Sequence, residues 1–335
     1  MSISLARARA ITKRFAHQKI LVVGDLMLDH YIYGHVSRIS PEAPVPVLLV
    51  HREHSVPGGA CNVAANVRAL GGAAAVAGVV GADASGAALT NLLRKCGIGT
   101  EAMLRVSGHP TTVKTRIVAE RQQVARVDWE RPVRLEEKQL ATLIRRLERA
   151  YDGVTGVVIE DYGKGLLTQP VVDATLRLAR ERKVPVGLDP KDNYSLRFDG
   201  LTLAKPNRKE AFAHAGMTDQ GAHEDPKQDR ALFEVAEILL AKWKPRLLMI
   251  TLGGHGLLLA EPGRPPRHVP TRAREVFDLS GAGDTVIAAC MLAIAAGADF
   301  DSAAELANYA AGVVVGKLGT ATCTREELLA YIDHE

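Results

Sequence analysis

Aromatic side chains are scarce: Phe, Tyr and Trp together make up 4% of the 335 residues. A surface that stacks successive bases needs more of them, which argues against a nucleic-acid partner. No stretch reaches the ~18 consecutive apolar residues of a membrane span, so no membrane partner is expected. The four cysteines, Cys61, Cys96, Cys290 and Cys323, share no metal-like spacing. They read as buried free thiols of a reducing compartment. The first nineteen residues, MSISLARARAITKRFAHQK, hold no acidic residue, as transit peptides do, but lack the apolar core of a secretory signal. Their apolar spacing suits an amphipathic helix leading into the first strand, and a cytoplasmic location is expected. Neither GxxxxGK[ST] nor GxGxxG occurs. That argues against a P-loop enzyme and disfavours a nicotinamide-dependent oxidoreductase.

What is present is ordinary globular material, 47% apolar and 24% charged, with a net charge of +4. The basic stretch RIVAERQQVARVDWERPVR reads as solvated surface or as an attraction for an anionic small substrate. The length fits one α/β core with a small addition, so residues 1–335 are taken as a single domain. KILVVGD (19–25), GVVIEDYG (156–163), VPVGLDP (184–190), GLTLAKPN (200–207) and LLMITLGGHG (247–256) each read as a buried strand. Helical patterns lie between them: EEKQLATLIRRLERAY, PVVDATLRLARERK and DRALFEVAEILLAKWK. Such alternation predicts a mostly parallel sheet flanked by helices, with ligands at the strands' carboxyl ends. Two stretches break the pattern, HYIYGHVSRISPEAPVPVLLVHRE and PTTVKTRIVAERQQVARVDWE. They alternate and carry β-branched residues, and over about 30–56 and 109–130 they are expected to form a small β lid or a dimer surface.

DLSGAGDT (278–285) stands directly before the apolar run VIAACMLAIAAG. The first amides of a helix have no internal partners and face a positive macrodipole. The amides of Gly281, Ala282 and Gly283 would therefore form an anion hole. Asp284, held ionised by that dipole, would take a proton from a hydroxyl facing it, a pairing that suits phosphoryl transfer. Close helix packing and an ordinary helix start explain the same residues. In KPNRKE, Asn207 and Glu210 have the spacing of a capping box, or of an amide and a carboxylate holding magnesium through water. TLGGHG reads as a tight hairpin turn or as glycines beside a nucleotide. Asn62 and Asp29 are either caps or ligands of sugar hydroxyls. Lys114, Arg116, Lys164 and Lys191 are surface cations or a grip on a phosphate, and Asp192 could bind a sugar hydroxyl.

Taken together, GGACNVAANVRALGG and DLSGAGDTVIAACMLA resemble the two signatures of the ribokinase, or PfkB, family of sugar kinases, with KPNRKE and TLGGHG in the expected order between them. The resemblance implies a ribokinase-like fold with a β lid and a homodimer formed through it. ATP would be the donor and Mg2+ the metal. It assigns Asp284 as catalytic base beside Gly281, Ala282 and Gly283, and Thr251, Gly253, Gly256 and Asn308 to the nucleotide. Asp29, Gly58, Gly59 and Asn62 would hold the sugar, and Asp278, Ser280 and Gly319 are candidates for a monovalent cation such as K+. Leu279 departs from the threonine of many members. GDLMLDHYIYG, RISPEAPVPV, RQQVARVDWE and EDYGKGLLT further resemble the heptose 7-phosphate kinases of lipopolysaccharide synthesis. That implies ATP-dependent phosphorylation of the C1 hydroxyl of D-glycero-D-manno-heptose 7-phosphate, and adenylyl transfer by another protein. The alternatives are a kinase for fructose 6-phosphate or ribose, or a non-catalytic sugar-binding regulator.

Overall fold

Ile20 to Val23 are four apolar residues in a row, and in a computed structural model of the chain they run through the inside of a large sheet. The structure describes residues 3–120, 122–191 and 196–334. In chain order the strands are β1 (Lys19–Gly24), β2 (Leu26–Ile39), β3 (Pro46–Gly59), β4 (Ala73–Gly81), β5 (Gly99–Val106), β6 (Thr112–Ala119), β7 (Gln122–Trp129), β8 (Gly156–Glu160), β9 (Val186–Asp189), β10 (Leu203–Ala204), β11 (Leu247–Thr251), β12 (Leu257–Ala260) and β13 (Arg267–Val269). The helices are α1 (Leu5–Lys13), α2 (Ala60–Ala69), α3 (Ala84–Lys95), α4 (Glu137–Ala150), α5 (Gln169–Arg182), α6 (Arg208–Ala215), α7 (Arg230–Trp243), α8 (Ala282–Ala295), α9 (Phe300–Val315) and α10 (Arg325–Asp333).

Among the described residues, nine strands form the main sheet in the order β13-β12-β11-β10-β9-β8-β1-β4-β5. Its pairings are parallel except at β11–β12 and β12–β13. Helices cover both faces, so the inner strands are apolar throughout rather than alternating. Ile20 and Val22 pack toward α2, α8 and α9; Leu21 and Val23 pack toward α4, α5 and α7. From β1 the chain builds outward to β4 and β5 on one side and to β8 and β9 on the other. That places a topological switch point at the carboxyl end of β1, where α/β sheets bind ligands.

The two alternating stretches pair with each other as a second sheet, β3-β2-β6-β7. Its β2 starts at Leu26, just past the end of β1, so this sheet rises from the switch point itself. Its β3 runs directly into α2. The expected amphipathic N-terminal helix is α1. The expected strand over 200–207 is shorter, only Leu203–Ala204, with Asn207 forming an isolated bridge to Thr251. Cys61, Cys290 and Cys323 are buried, and burial pushes their thiols up to about 12. Cys96 is exposed, contrary to the expectation, because it caps the exposed end of α3. Among the described residues no helix is long and apolar enough to cross a membrane.

Candidate active site

Helix α8 starts on a turn that only glycine fits well. Gly281 caps it at φ +79°, and a Cβ there would lie 2.7 Å from Nδ2 of Asn62. The Ala282 amide makes a long bond of 3.3 Å to the Leu279 carbonyl, and among the described residues no acceptor takes the amides of Gly281 or Gly283. Asp284 follows, 7% exposed. Its Oδ2 accepts from Asn62 Nδ2 at 2.7 Å and its Oδ1 from the Tyr162 hydroxyl at 2.6 Å. Burial lifts the Asp284 carboxyl above the ordinary aspartate range, while these two hydrogen bonds and the Lys205 charge pull it back down. The helix dipole was expected to keep it ionised; burial opposes that.

Further polar side chains reach this corner from neighbouring strand ends. Glu160 closes β8, Asp189 closes β9 and Lys205 follows β10. Lys205 Nζ lies 2.7 Å from Asp189 Oδ2, with both side chains largely enclosed. The same Nζ would be 3.4 Å from a Cβ on Gly283, so the ammonium rests against the amide turn. Burial works against that charge, but the Asp189 and Glu160 carboxylates outweigh it and hold the ammonium above the usual lysine range. One oxygen each from Glu160, Asp189 and Asp284 lie within 4.8 Å of one another. Glu160 Oε2 is buried without a hydrogen-bond partner, and burial together with its acidic neighbours raises its carboxyl well above normal. Sequence reasoning missed Tyr162, Glu160, Asp189 and Lys205. Their signal was a polar residue ending or following a buried apolar run.

On one side of Asp284 opens a cleft of about 590 Å³. Asn207, Glu210, Thr251, Gly253, Gly256 and Asn308 all line it together with Ala282 and Gly283. KPNRKE forms the capping box of the first reading. Asn207 Oδ1 accepts from the Glu210 amide and Glu210 Oε2 from the Asn207 amide, each at 2.9 Å, a capping box that borders the cleft. Glu210 Oε1 accepts from Lys191 at 2.9 Å, which places Lys191 on this side. TLGGHG is a hairpin turn into the antiparallel β12, and it also borders the cleft. Asn308 Nδ2 donates to the Pro270 carbonyl at 2.7 Å.

On the other side stands the second sheet. Asp29 is buried on β2, and its Oδ2 accepts from the Thr320 hydroxyl at 3.1 Å. Gly58 packs so tightly beside it that a Cβ would be 2.7 Å from the Asp29 carboxyl carbon, and Gly59 follows as the cap of α2. Arg116 Nη1 approaches Asp29 Oδ1 to 3.0 Å without lining up for a hydrogen bond, which leaves both atoms buried and unsatisfied. Lys114 bonds Asp128 at 3.0 Å and Glu130 at 3.2 Å, and Lys164 bonds Glu130 at 2.7 Å. Asp278 gathers the candidate cation residues by accepting from the amides of Ser280 at 2.9 Å and Gly319 at 3.0 Å. Asp192 lies outside the described residues.

The model of the pfkB family carbohydrate kinases matches residues 17–327. This chain belongs to that family. Among similar family proteins, the bifunctional protein HldE of Pseudomonas paraeruginosa is 42% identical over 322 residues, 96% of this chain and 65% of its own length. The chain thus spans just under two thirds of that relative. Among solved structures, Arabidopsis thaliana ribokinase complexed with ribose and ATP superposes with a TM-score of 0.68 at 19% identity, covering 94% of this chain and 98% of that one. Escherichia coli phosphofructokinase-2 in complex with potassium gives 0.71 at 19% identity, covering 94% and 99%. The fold is therefore ribokinase-like.

Proposed function

We propose that this chain transfers the γ-phosphoryl group of ATP to the C1 hydroxyl of D-glycero-D-manno-heptose 7-phosphate, giving the 1,7-bisphosphate. One arrangement carries the proposal. Asp284, a buried carboxylate beside an amide turn, sits where a glycine-bordered cleft meets the second sheet with its Arg116–Asp29 pair. ATP lies in the cleft along Thr251, Gly253, Gly256 and Asn308. The C1 oxygen attacks the γ-phosphorus in line, the new O–P bond forms as the bond to ADP breaks, and Asp284 takes the hydroxyl proton. The amides of Gly281 and Gly283, with Lys205 beside them, offset the charge on the transferring group.

The donor set suits Mg2+, a hard cation that favours oxygen ligands, and the unsatisfied Glu160 Oε2 is one such oxygen. When bound, Mg2+ neutralises phosphate charge. Asn207 and Glu210 would hold it through water, since their side chains are already engaged in the capping box. A monovalent cation would belong beside Asp278, Ser280 and Gly319. Asp29, Gly58, Gly59 and Asn62 hold the sugar. Arg116 grips its phosphate, joined by Lys114 and Lys164 once they leave Glu130. Lid closure excludes water.

The resemblance of four sequence stretches to heptose 7-phosphate kinases, and the similarity to HldE, support the substrate. Val45, Leu49, Val50, Val124, Val127 and Trp129 are exposed apolar side chains on the lid strands and their connection, which supports a homodimer formed there. The test is a panel of heptose 7-phosphate, fructose 6-phosphate and ribose with ATP, followed by 31P NMR. The heptose phosphate should exceed the others by about 10²-fold or more in kcat/KM. Turnover of ribose with inert heptose phosphate would overturn the substrate but not the chemistry. No ATP consumption with any sugar would leave the regulator.

A further inference from the structure

Among the described residues, one phenol touches the proposed base and has no part in the transfer as proposed. Tyr162 lies just past the end of β8, in a loop that a buried carboxylate holds in place. Asp25 Oδ2 accepts from the amides of Tyr162 and Lys164, each at 3.0 Å, and its Oδ1 from the Leu166 amide at 3.3 Å. Asp161 Oδ1 adds a bond to the Gly163 amide at 2.8 Å. With its backbone fixed from both sides, the Tyr162 hydroxyl reaches Asp284 Oδ1 at 2.6 Å.

We propose that Tyr162 is a positioning residue for phosphoryl transfer, its hydroxyl orienting Asp284 and keeping that carboxylate ionised until the sugar proton arrives. Each Asp284 oxygen then has one fixed donor, Asn62 on Oδ2 and Tyr162 on Oδ1, and each keeps a lone pair for the acceptor hydroxyl. The phenol serves as a permanent donor. A phenol at its ordinary pKa keeps its proton throughout the neutral range. A donor bound to the ionised form favours that form, and this counters the burial of Asp284.

Other charges face the base as well: Glu160 from β8, Asp189 from β9, Lys205 after β10 and Asp29 from β2. Tyr162→Phe leaves all of them in place, so a change in pH dependence reads the phenol's contact alone. The inference depends on Asp284 being the base, and the experiment separates the two. Tyr162→Phe should lower kcat by about tenfold at neutral pH, leave KM for ATP unchanged, and move the acidic limb of kcat to higher pH. Activity should recover toward wild type as the pH rises. A merely structural role would lower kcat at every pH and leave the limb where it was, which overturns the proposal; so would a wild-type profile. Fluorinated tyrosine at position 162, nearly isosteric and a stronger donor, should move the limb to lower pH, and a limb that does not move counts against the proposal even if the phenylalanine variant misfolds. In an Asp284→Asn background, Tyr162→Phe should have no further effect on kcat. If Asp284→Asn itself keeps full activity, the base assignment fails, independently of the phenol.

Discussion

Asn62 and Asp284 stand 222 positions apart in the sequence and meet at 2.7 Å. The contact joins the start of α2, at the base of the lid, to the start of α8, at the amide turn. Asn66 backs it one turn on: its Nδ2 donates to the Asn62 carbonyl at 3.1 Å, and its Oδ1 accepts from Thr285 at 3.0 Å.

Removing that donor leaves Asp284 held on one side only. Asn62→Ala should lower kcat by about 10–100-fold, as expected for a hydrogen bond to a charged group. Asn62→Asp should do worse, because a second carboxylate at that distance favours the protonated base. Steady-state kinetics on both variants, with circular dichroism to check folding, measures the difference.

Asp284→Asn should lower kcat by roughly 10²–10⁴-fold with the fold intact. Near wild-type turnover in a folded variant would remove the proton-acceptor role.

In the proposed function the cations divide between the two ligands. Lys191 is paired with Glu210 on the nucleotide side, so Lys191→Ala should raise KM for ATP and leave KM for the sugar phosphate nearly unchanged. Arg116 lies with Asp29 on the lid. Its replacement by alanine would strand a buried carboxylate at a cost of about 3–5 kcal/mol, so lysine is the cleaner variant. Arg116→Lys keeps the charge but loses the planar fork, and should raise KM for the sugar phosphate about tenfold with KM for ATP unchanged. Equal changes for both ligands in either variant would contradict the division.

Asp161 gives a pH signature in stability. Burial lifts its carboxyl from 3.8 to about 6, against the Gly163 amide, which pulls it down. The folded state then binds more protons than the unfolded one between these values. Stability should fall as pH rises from about 4 to about 6 and change little through this group above that, by on the order of 2–3 kcal/mol in all. Asp161→Asn keeps an acceptor for Gly163 and cannot ionise. A plot of Tm against pH should therefore lose that decline in the variant; an unchanged slope would show that another group causes it.

The frame of the fold was legible because its strands are buried on both faces. KILVVGD and LLMIT are apolar runs too short for helices, and they are β1 and β11. AAAVAGVVG, which is β4, gave no comparable signal, since alanine suits a helix or a strand equally. GLTLAKPN looked like a full strand but pairs over two residues, because the chain turns into the α6 cap. The site was legible where its parts are adjacent in sequence: Gly281 to Asp284, and Asn207 with Glu210. It was not legible where single residues converge from separate strands. Nothing local links Glu160, Asp189 and Lys205, and only the parallel order of β8, β9 and β10 brings them together. Lys164 and Lys114 looked like free cations, but their shared partner Glu130 lies at the far end of a hairpin.

In the proposed mechanism Gly281 ties two functions to one turn. Any side chain there would press on the Asn62 amide that steadies Asp284. The chain therefore cannot tighten or loosen its hold on the travelling phosphoryl group by mutation at this turn without also disturbing the group that takes the proton. Under the same proposal, adaptation to a different acceptor is easier at Lys114, whose partners Asp128 and Glu130 lie on the lid and its end.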